Sequence, residues 1–251
     1  MNPHRILHED NDIIVCHKPA GIATQTARVG QADMVSEISN YLAAKKDSAG
    51  KFPCVRVVHR LDQPVEGILV FARNKQAAAE LSRQAAGEEM RKEYLALVCG
   101  RDMLRTGELK DYLLKDGRMN MSRVVQPEVT GAKEARLSYE ILRENLPESG
   151  MTGYGADGLR CALVRISLHT GRHHQIRVQM ANAGMPLLGD HKYAGKEALA
   201  LSEELGIRET ALCAYRLAFI HPKTGRRMQF EIRPEGAAFH KATVKMGEPG
   251  V

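Results

Sequence analysis

The residue best suited to chemistry in this sequence is Asp62, which stands in a short polar loop between two apolar runs. The surrounding stretch reads VVHRLDQPVEGILVF, with Arg60 two positions before the carboxylate. A loop between buried strands is partly shielded from water, and a nearby cation favours the ionised form of a carboxyl group there. An ionised carboxylate can act as a nucleophile or a base. A turn aspartate bonded to its own backbone explains the same residues equally well.

A second carboxylate, Glu66, follows Asp62 by four positions, the spacing at which two side chains meet on one face of a helix. Two such carboxylates could work as an acid and a base. Pro64 lies between them, and a proline removes a backbone donor and disfavours helix at the residue before it. Only the tertiary fold could therefore bring the two carboxylates together.

A group of possible metal ligands lies between residues 169 and 191, and it consists of His169, His173, His174, Asp190 and His191. His169 and His173 have helical spacing, but Thr170-Gly171 interrupts a helix there. Arg172 and Arg177 are interleaved with the histidines, and cations suit an anionic ligand better than a metal ion. We therefore expect no metal site, and a metal-dependent hydrolase is a remote alternative.

The chain is basic, with 36 Lys and Arg against 30 Asp and Glu, a formal net charge of +6 and a pI near 9.1. Such a balance favours a polyanionic partner, although charges scattered over all faces give the same total. Basic residues recur at predicted turns and strand ends, where they could line a groove: Arg101, Arg105, Lys110, Lys115, Arg118, Arg123, Arg172, Arg177, Lys192, Lys223, Arg226 and Arg227.

Length and composition predict one ordinary globular domain. A chain of 251 residues with 43% apolar residues can bury a sizeable core. The five cysteines are widely spaced and form no CxxC pair. No apolar run is long enough for a signal peptide or a membrane span. We expect a cytosolic protein that does not contact a membrane.

The elements that must position these residues follow from apolar spacing and turn residues. Strands are predicted at residues 13–16, 55–58, 67–73, 94–98, 108–114, 121–125, 134–142, 159–169, 215–220 and 228–232. Helices are predicted at residues 32–46, 173–183 and 196–205, and one more begins at Asn74 and ends at Gly87. Residues 149–158 read as a glycine-rich loop, and the tail beyond Pro234 shows little apolar pattern. The strands from Lys92 onward favour an antiparallel meander.

Four motifs, in this order and over residues 13–233, make the sequence resemble the RluA-type pseudouridine synthases. They are His17-Lys18-Pro19-Ala20-Gly21; His59-Arg60-Leu61-Asp62 with residues 67–72; Lys92-Glu93-Tyr94 with residues 96–100; and Thr170-Gly171-Arg172-His173-His174-Gln175-Ile176-Arg177 followed by residues 184–190. The resemblance implies an α+β fold, a central, largely antiparallel mixed sheet flanked by helices with a basic cleft across it.

The resemblance also implies roles for single residues. Asp62 would be the catalytic aspartate, Tyr94 would stack on the target uracil and assist proton removal from C5, and Arg177 would form an ion pair with Asp62. Arg60 would fill the space that a flipped nucleotide leaves. Further RNA contacts are expected from Lys18, Arg172, His173 and Gln175. No metal or organic cofactor is expected.

The function expected from this resemblance is the isomerisation of uridine to pseudouridine in ribosomal or transfer RNA by a monomer. Val65-Glu66 stand where the family usually has Thr-Ser, which places a second carboxylate near Asp62. Many relatives carry an N-terminal S4 RNA-binding domain, and we expect none here, only a single catalytic domain over residues 1–251 with a core at about 13–233. The alternative is a non-catalytic RNA-binding or ribosome-assembly protein on the same fold.

Overall fold

The computed structural model describes residues 5–26, 30–45, 54–144 and 158–243. The chain divides into two compact units, of which the first comprises Met1–Lys92 and Ala214–Arg233 and the second Glu93–Cys213 and Pro234–Val251. Each unit combines antiparallel strands with helices, which confirms the predicted α+β class. The single catalytic domain with its basic cleft stays a prediction. None of the described helices is long and apolar enough to cross a membrane.

The first unit is built on two fully buried neighbouring strands, β2 and β4. Its elements are β1 (Ile6–Glu9), β2 (Ile13–Lys18), α1 (Met34–Ala44), β3 (Arg56–Val57), β4 (Glu66–Ala72), α2 (Lys75–Ala86), most of β10 (Leu212–Ile220) and β11 (Arg227–Glu231). The strand order is β1-β2-β4-β10, with β3 beside β4 and β11 beside β10. Antiparallel pairing of β2 with β4 brings Lys18 opposite Gly67. The residues after β2 therefore lie next to those before β4.

Capping residues set the limits of α2 as the sequence predicts. The Asn74 side chain accepts a hydrogen bond from the backbone N–H of Ala77 at 2.8 Å, and Gly87 ends α2. Helix α2 packs Ala77 and Leu81 into the core formed with β2, β4 and β10. The buried side chain of Gln84 donates to Ile220 O and accepts from Ile220 N, both at 2.8 Å. This side chain connects α2 directly to the end of β10.

The second unit contains antiparallel strands, as predicted, but they do not form a meander, in which each strand pairs with the next one along the chain. Its elements are most of β5 (Arg91–Gly100), β6 (Thr106–Asp116), β7 (Met121–Val125), β8 (Lys133–Glu144), β9 (Arg160–Leu168), α3 (Gln175–Asn182), α4 (Lys196–Glu204) and α5 (Ala237–Thr243). The strand order is β5-β9-β8-β6-β7, and the pairs β9/β8, β8/β6 and β6/β7 are antiparallel. Helix α3 packs on the sheet through Val178, which joins Leu113 and Ala135 in a buried cluster.

The structure differs from the sequence predictions at both ends of the chain and in the strand that precedes Asp62. Strand β1 was not predicted, because its four residues, none of which is buried, are too few to show an apolar pattern in the sequence. Helix α5 was not predicted either, and Phe239 is its buried apolar side chain. The strand predicted at residues 55–58 covers only Arg56–Val57. Apart from Gly158, the glycine-rich loop at 149–158 lies outside the described residues.

Gly67 should be essential to the pairing of β4 with β10. Its φ of +139° disfavours any residue with a side chain, and an added Cβ would lie 2.6 Å from both the backbone N and the O of Ala214. We expect Gly67→Ala to lower the free energy of unfolding by about 2 kcal/mol or more. Gly117→Ala is the matched control, since an added Cβ meets nothing there within 4 Å. Urea unfolding measures both, and equal stabilities would contradict this account.

Candidate active site

The loop that carries Asp62 is held by hydrogen bonds from the segment that follows β2. The hydroxyl of Thr24 donates to Leu61 O at 2.9 Å and accepts from Leu61 N at 3.1 Å. The backbone N–H of Val65 donates to Asp62 O at 3.1 Å and closes a tight turn. Asp62 itself is half-buried. The carboxylate therefore projects from a loop whose backbone is fixed on both sides.

Lys18 also holds this loop in place. It is fully buried, and its ammonium donates to Pro19 O at 2.9 Å, Ile22 O at 2.6 Å and Gln63 O at 3.1 Å. Burial lowers the pKa of Lys18 to about 8, against the opposing effect of the Asp62 and Glu66 carboxylates, which favour the ammonium. Lys18 thus places a buried cation near both carboxylates.

The structure does not support the expected role of Lys18 as an RNA contact. All three of its donors are used by backbone carbonyls, and no part of the side chain reaches the surface. The expectation came from its place in the first motif of the family resemblance, which carries no information on burial. The adjacent contacts support a structural role, since Gln63 O also accepts from Gly21 N, and the Gln63 amide donates to Gly21 O.

Glu66 is the first residue of β4 and is buried. Its Oε2 lies 3.7 Å from Nε2 of the buried His17. Residues 62–65 form a turn and not a helix, as Pro64 predicts, so Asp62 and Glu66 are not a helical i, i+4 pair. Val65 and Glu66, which stand in place of the usual Thr-Ser, are both buried, and Glu66 lies beside His17 and near Lys18.

His59 holds the segment before Asp62 against β4. Its Nε2 accepts a hydrogen bond from the backbone N–H of Val70 at 3.2 Å. Burial, with a smaller effect from the Lys92 ammonium, lowers the pKa of His59 to about 3, so the ring stays neutral and can accept this bond. Arg60, one residue further, is exposed, and its contact with a nucleotide stays a prediction.

In the second unit, Arg177 forms a buried bidentate ion pair with Asp190. Arg177 Nε lies 2.7 Å from one carboxylate oxygen and Nη2 lies 2.6 Å from the other. The two side chains are only 4% and 1% exposed. Sequence reasoning considered Asp190 only as a metal ligand and missed this pair. Tyr94 is buried in β5, and the pairing of Arg177 with Asp62 stays a prediction.

Backbone contacts fix the position of Asp190. Leu188 N donates to Leu97 O at 2.9 Å, and Cys99 N donates to Pro186 O at 3.0 Å, so residues 186–188 run beside β5. Gly189 follows with a φ of +70°, and an added Cβ there would collide with the carbonyl group of Glu209. The Gly-Asp pair in the fourth motif is thus the signal from which Asp190 could have been recognised.

Tyr193 connects Arg177 to the neighbouring elements. The Arg177 guanidinium lies 5.2 Å from the centre of the Tyr193 ring, within cation–π range. The Tyr193 hydroxyl accepts from Ser122 N at 2.8 Å and lies 2.7 Å from Nδ1 of His174. His174 precedes α3 with a φ of +54°. Helix α3, the residue 190–193 segment and β7 therefore meet at one hydroxyl group.

The three RNA contacts predicted around α3 differ in accessibility. Gln175 is buried: its carbonyl oxygen accepts from the Thr170 hydroxyl and Arg172 N, and its amide donates to Arg136 O and the Gln179 side chain. It therefore acts within the fold and does not present a free group to RNA. His173 is half-buried and Arg172 is exposed. These two remain candidates for contact.

The histidines considered as metal ligands have other partners. His173 contacts Ser122 and Asn120, His174 contacts Tyr193, and His191 contacts Arg208 O. In the described part of the chain, the ligand atoms of Asp10, Asp12 and His221 do lie within 4.8 Å of one another. Nδ1 of His221 accepts from two backbone N–H groups, so Nε2 carries the proton and donates to Asp10 at 2.9 Å. This cluster is explained by its own hydrogen bonds.

The chain is similar to known proteins over most of its length. Residues 12–182 match the family described as RNA pseudouridylate synthase. An uncharacterised RNA pseudouridine synthase of Bacillus subtilis is 33% identical over 87% of this chain and 65% of its own length. The ribosomal large subunit pseudouridine synthase C of Haemophilus influenzae is 32% identical over 90% of this chain and 64% of its own. The chain thus spans slightly less than two thirds of these relatives.

Two further similarities extend the comparison. The dual-specificity RNA pseudouridine synthase RluA of Yersinia pestis is 31% identical, with 92% of this chain and 98% of that protein covered. The solved structure of human RNA pseudouridylate synthase domain containing 4 matches with a TM-score of 0.68 at 22% identity, over 92% of this chain and 89% of that one. The structural match shows the shared fold.

The buried Arg177–Asp190 pair should be much more important for stability than an exposed pair. We expect Asp190→Asn to lower the free energy of unfolding by roughly 3–5 kcal/mol, because a buried guanidinium loses its counter-charge. The control is Glu140→Gln, which breaks a pair with Arg165 whose side chains are 42% and 43% exposed, and it should cost at most about 1 kcal/mol. Urea unfolding measures both variants; similar losses would show that burial does not decide the outcome.

The neutral His59 should make the protein sensitive to acid. The native ring has a pKa near 3 and the unfolded ring one near 6.5, so the unfolded state binds more protons between these values. Stability should therefore fall as the pH drops through this window, by up to about 1.4 kcal/mol per pH unit from this residue. His59→Gln keeps an acceptor for Val70 N–H and should show a shallower pH dependence in urea unfolding; parallel curves would refute the assignment.

Proposed function

The chain belongs to the RNA pseudouridylate synthase family, and from that premise we propose that it isomerises uridine to pseudouridine in RNA with Asp62 as the catalytic carboxylate. The environment of Asp62 is the main observation that supports the proposal. Its carboxylate is half-buried on a loop held by hydrogen bonds from Lys18, Gly21 and Thr24. A fixed backbone with a partly shielded charge is what a positioned nucleophile or base requires.

The reaction explains why a single carboxylate can be sufficient. The bond between C1′ of the ribose and N1 of the uracil breaks, the uracil rotates, and C5 bonds to C1′ while the C5 proton leaves and N1 gains one. Asp62 would either attack C1′ or remove the 2′ proton, and both routes use its ionised form. The isomerisation is redox-neutral and transfers no external group, so the proposal includes no cofactor.

Two more residues complete the proposed catalytic group. By the family resemblance, Tyr94 stacks on the uracil and assists loss of the C5 proton, and Arg177 pairs with Asp62. The structure supports the suitability of Arg177, because Asp190 and the Tyr193 ring fix the direction of its guanidinium. Arg60 is exposed and free to enter the space of a flipped nucleotide, whose extrusion costs a few kcal/mol.

The substrate class in this proposal is ribosomal or transfer RNA in the cytosol, acted on by a monomer. The Haemophilus relative is named for the large ribosomal subunit and the Yersinia relative for dual specificity on RNA. A non-catalytic RNA-binding protein on the same fold is the alternative that the Val65-Glu66 departure suggested. The placement of Glu66 beside His17 and near Lys18, inside the protein, supports a structural role for this carboxylate, and the tritium-release assay decides between the two functions.

Asp62→Asn tests the proposal directly. Total RNA from a strain that lacks the gene, labelled with tritium at C5 of uridine, should release tritium to water with the wild-type protein. Asp62→Asn should lower the rate by at least about 10²–10⁴-fold, the contribution of a positioned proton-transfer group. Asp102→Asn, the same change at an exposed turn carboxylate, should retain the wild-type rate. A fully active Asp62→Asn protein would sink the assignment of Asp62, and a wild-type protein that releases no tritium would favour the non-catalytic alternative.

A further inference from the structure

The tip of the β6–β7 hairpin, around Asn120 and Ser122, is hydrogen-bonded to two segments: the loop before α3 and residues 190–193. Lys192 Nζ donates to Asn120 O at 2.8 Å. The ring of His173 lies 3.1 Å from Asn120 Oδ1 through Nε2 and 2.9 Å from the Ser122 hydroxyl through Nδ1. The hairpin tip, the loop before α3 and the 190–193 segment therefore form one continuous surface.

The strand register places another cation on this surface. Lys115 of β6 pairs with Ser122 of β7, so both side chains point to the same face of the hairpin. Ser122 contacts His173, so this is the face that carries α3. Lys115 is exposed and makes no ion pair with any residue the structure describes. Lys110, five positions away on the same strand, points to the opposite face and pairs with Glu134 at 3.3 Å.

The carboxylates near this surface are already bound or point away. Asp190 is neutralised by Arg177, and Asp111 accepts from the Gln179 amide at 2.7 Å. Asp116 lies on the opposite face by register, and its Oδ1 accepts from the backbone N–H groups of Arg118 and Met119. The surface therefore has a local excess of positive charge, which the net charge of +6 alone does not establish.

Arg172 adds a third cation to the same surface. It is exposed, it precedes His173, and among the described residues its guanidinium bonds through Nε alone, to Glu134 O at 2.8 Å. A guanidinium fixed through Nε presents its terminal nitrogens in a fork that matches phosphate oxygens. Each of the three cations is thus linked to the half-buried His173: Lys115 through its register partner Ser122, Arg172 as the preceding residue and Lys192 through Asn120.

We propose that Lys115, Arg172 and Lys192 form a phosphate-binding surface, the hairpin patch, on which the RNA backbone docks. This inference rests on the proposed function and extends it to the way substrate is held. Cations without acidic partners suit a polyanion, and most protein contacts to nucleic acid backbones are of this kind. Because the patch holds the backbone and does not take part in bond breaking, it sets the affinity for RNA and not the rate of the chemical step.

The test compares two double variants of equal charge. Lys115→Gln with Lys192→Gln removes two cations of the patch, and Lys110→Gln with Lys223→Gln removes two exposed cations elsewhere. Binding to a fluorescein-labelled RNA stem–loop with a uridine-rich loop is measured by anisotropy over a range of KCl concentrations. The slope of log affinity against log salt should fall by about 1 for each patch lysine removed, and by much less in the control.

Tritium release from C5-labelled RNA gives a second, independent measurement. The patch variant should show a raised KM with kcat unchanged at saturating RNA, and urea unfolding should match the wild type because both lysines are exposed. An unchanged salt slope, or an equal loss in the control pair, would overturn the patch. If the wild type releases no tritium from any RNA, the proposed function fails, while the anisotropy data still decide whether RNA binds at the patch.

Discussion

A buried ammonium group organises the part of the protein that presents Asp62. A lysine in the interior is stable only if each of its three donors has an acceptor, because an unsatisfied buried charge is strongly destabilising. Lys18 meets that requirement with carbonyls from its own turn and from Gln63, next to Asp62. Satisfying the ammonium therefore determines where the carboxylate loop lies. The nearby Asp62 and Glu66 carboxylates in turn favour the charged form of the lysine.

The same physical logic recurs in the second unit, where Arg177 and Asp190 are both buried. A guanidinium and a carboxylate in bidentate contact satisfy each other in charge and in geometry. Asp190 in turn depends on residues 186–188 running beside β5. In both units a charged side chain that could bind substrate or water instead forms its contacts inside the protein. The result is that groups expected to act on RNA have fixed directions.

Local signals made much of the fold predictable from the sequence. The cap at Asn74 and the end at Gly87 depend on short-range hydrogen bonds, and β7 was predicted with its observed limits. Burial of polar side chains was not predictable in this way. Lys18 and Gln175 were expected to contact RNA, but both are buried, and the groups that accept from them include carbonyls distant in sequence. The contact of Arg177 with Asp190 was missed because the two residues lie thirteen positions apart in the chain and no local rule connects them.

The contact between Gln84 and Ile220 has a consequence for the position of α2. A primary amide offers one donor and one acceptor in the same arrangement as a peptide group, so this side chain pairs with the end of β10 as a strand would. A helix displaced along β10 would lose both bonds at once and leave a fully buried amide unsatisfied. A single glutamine thus fixes where α2 lies along the strand.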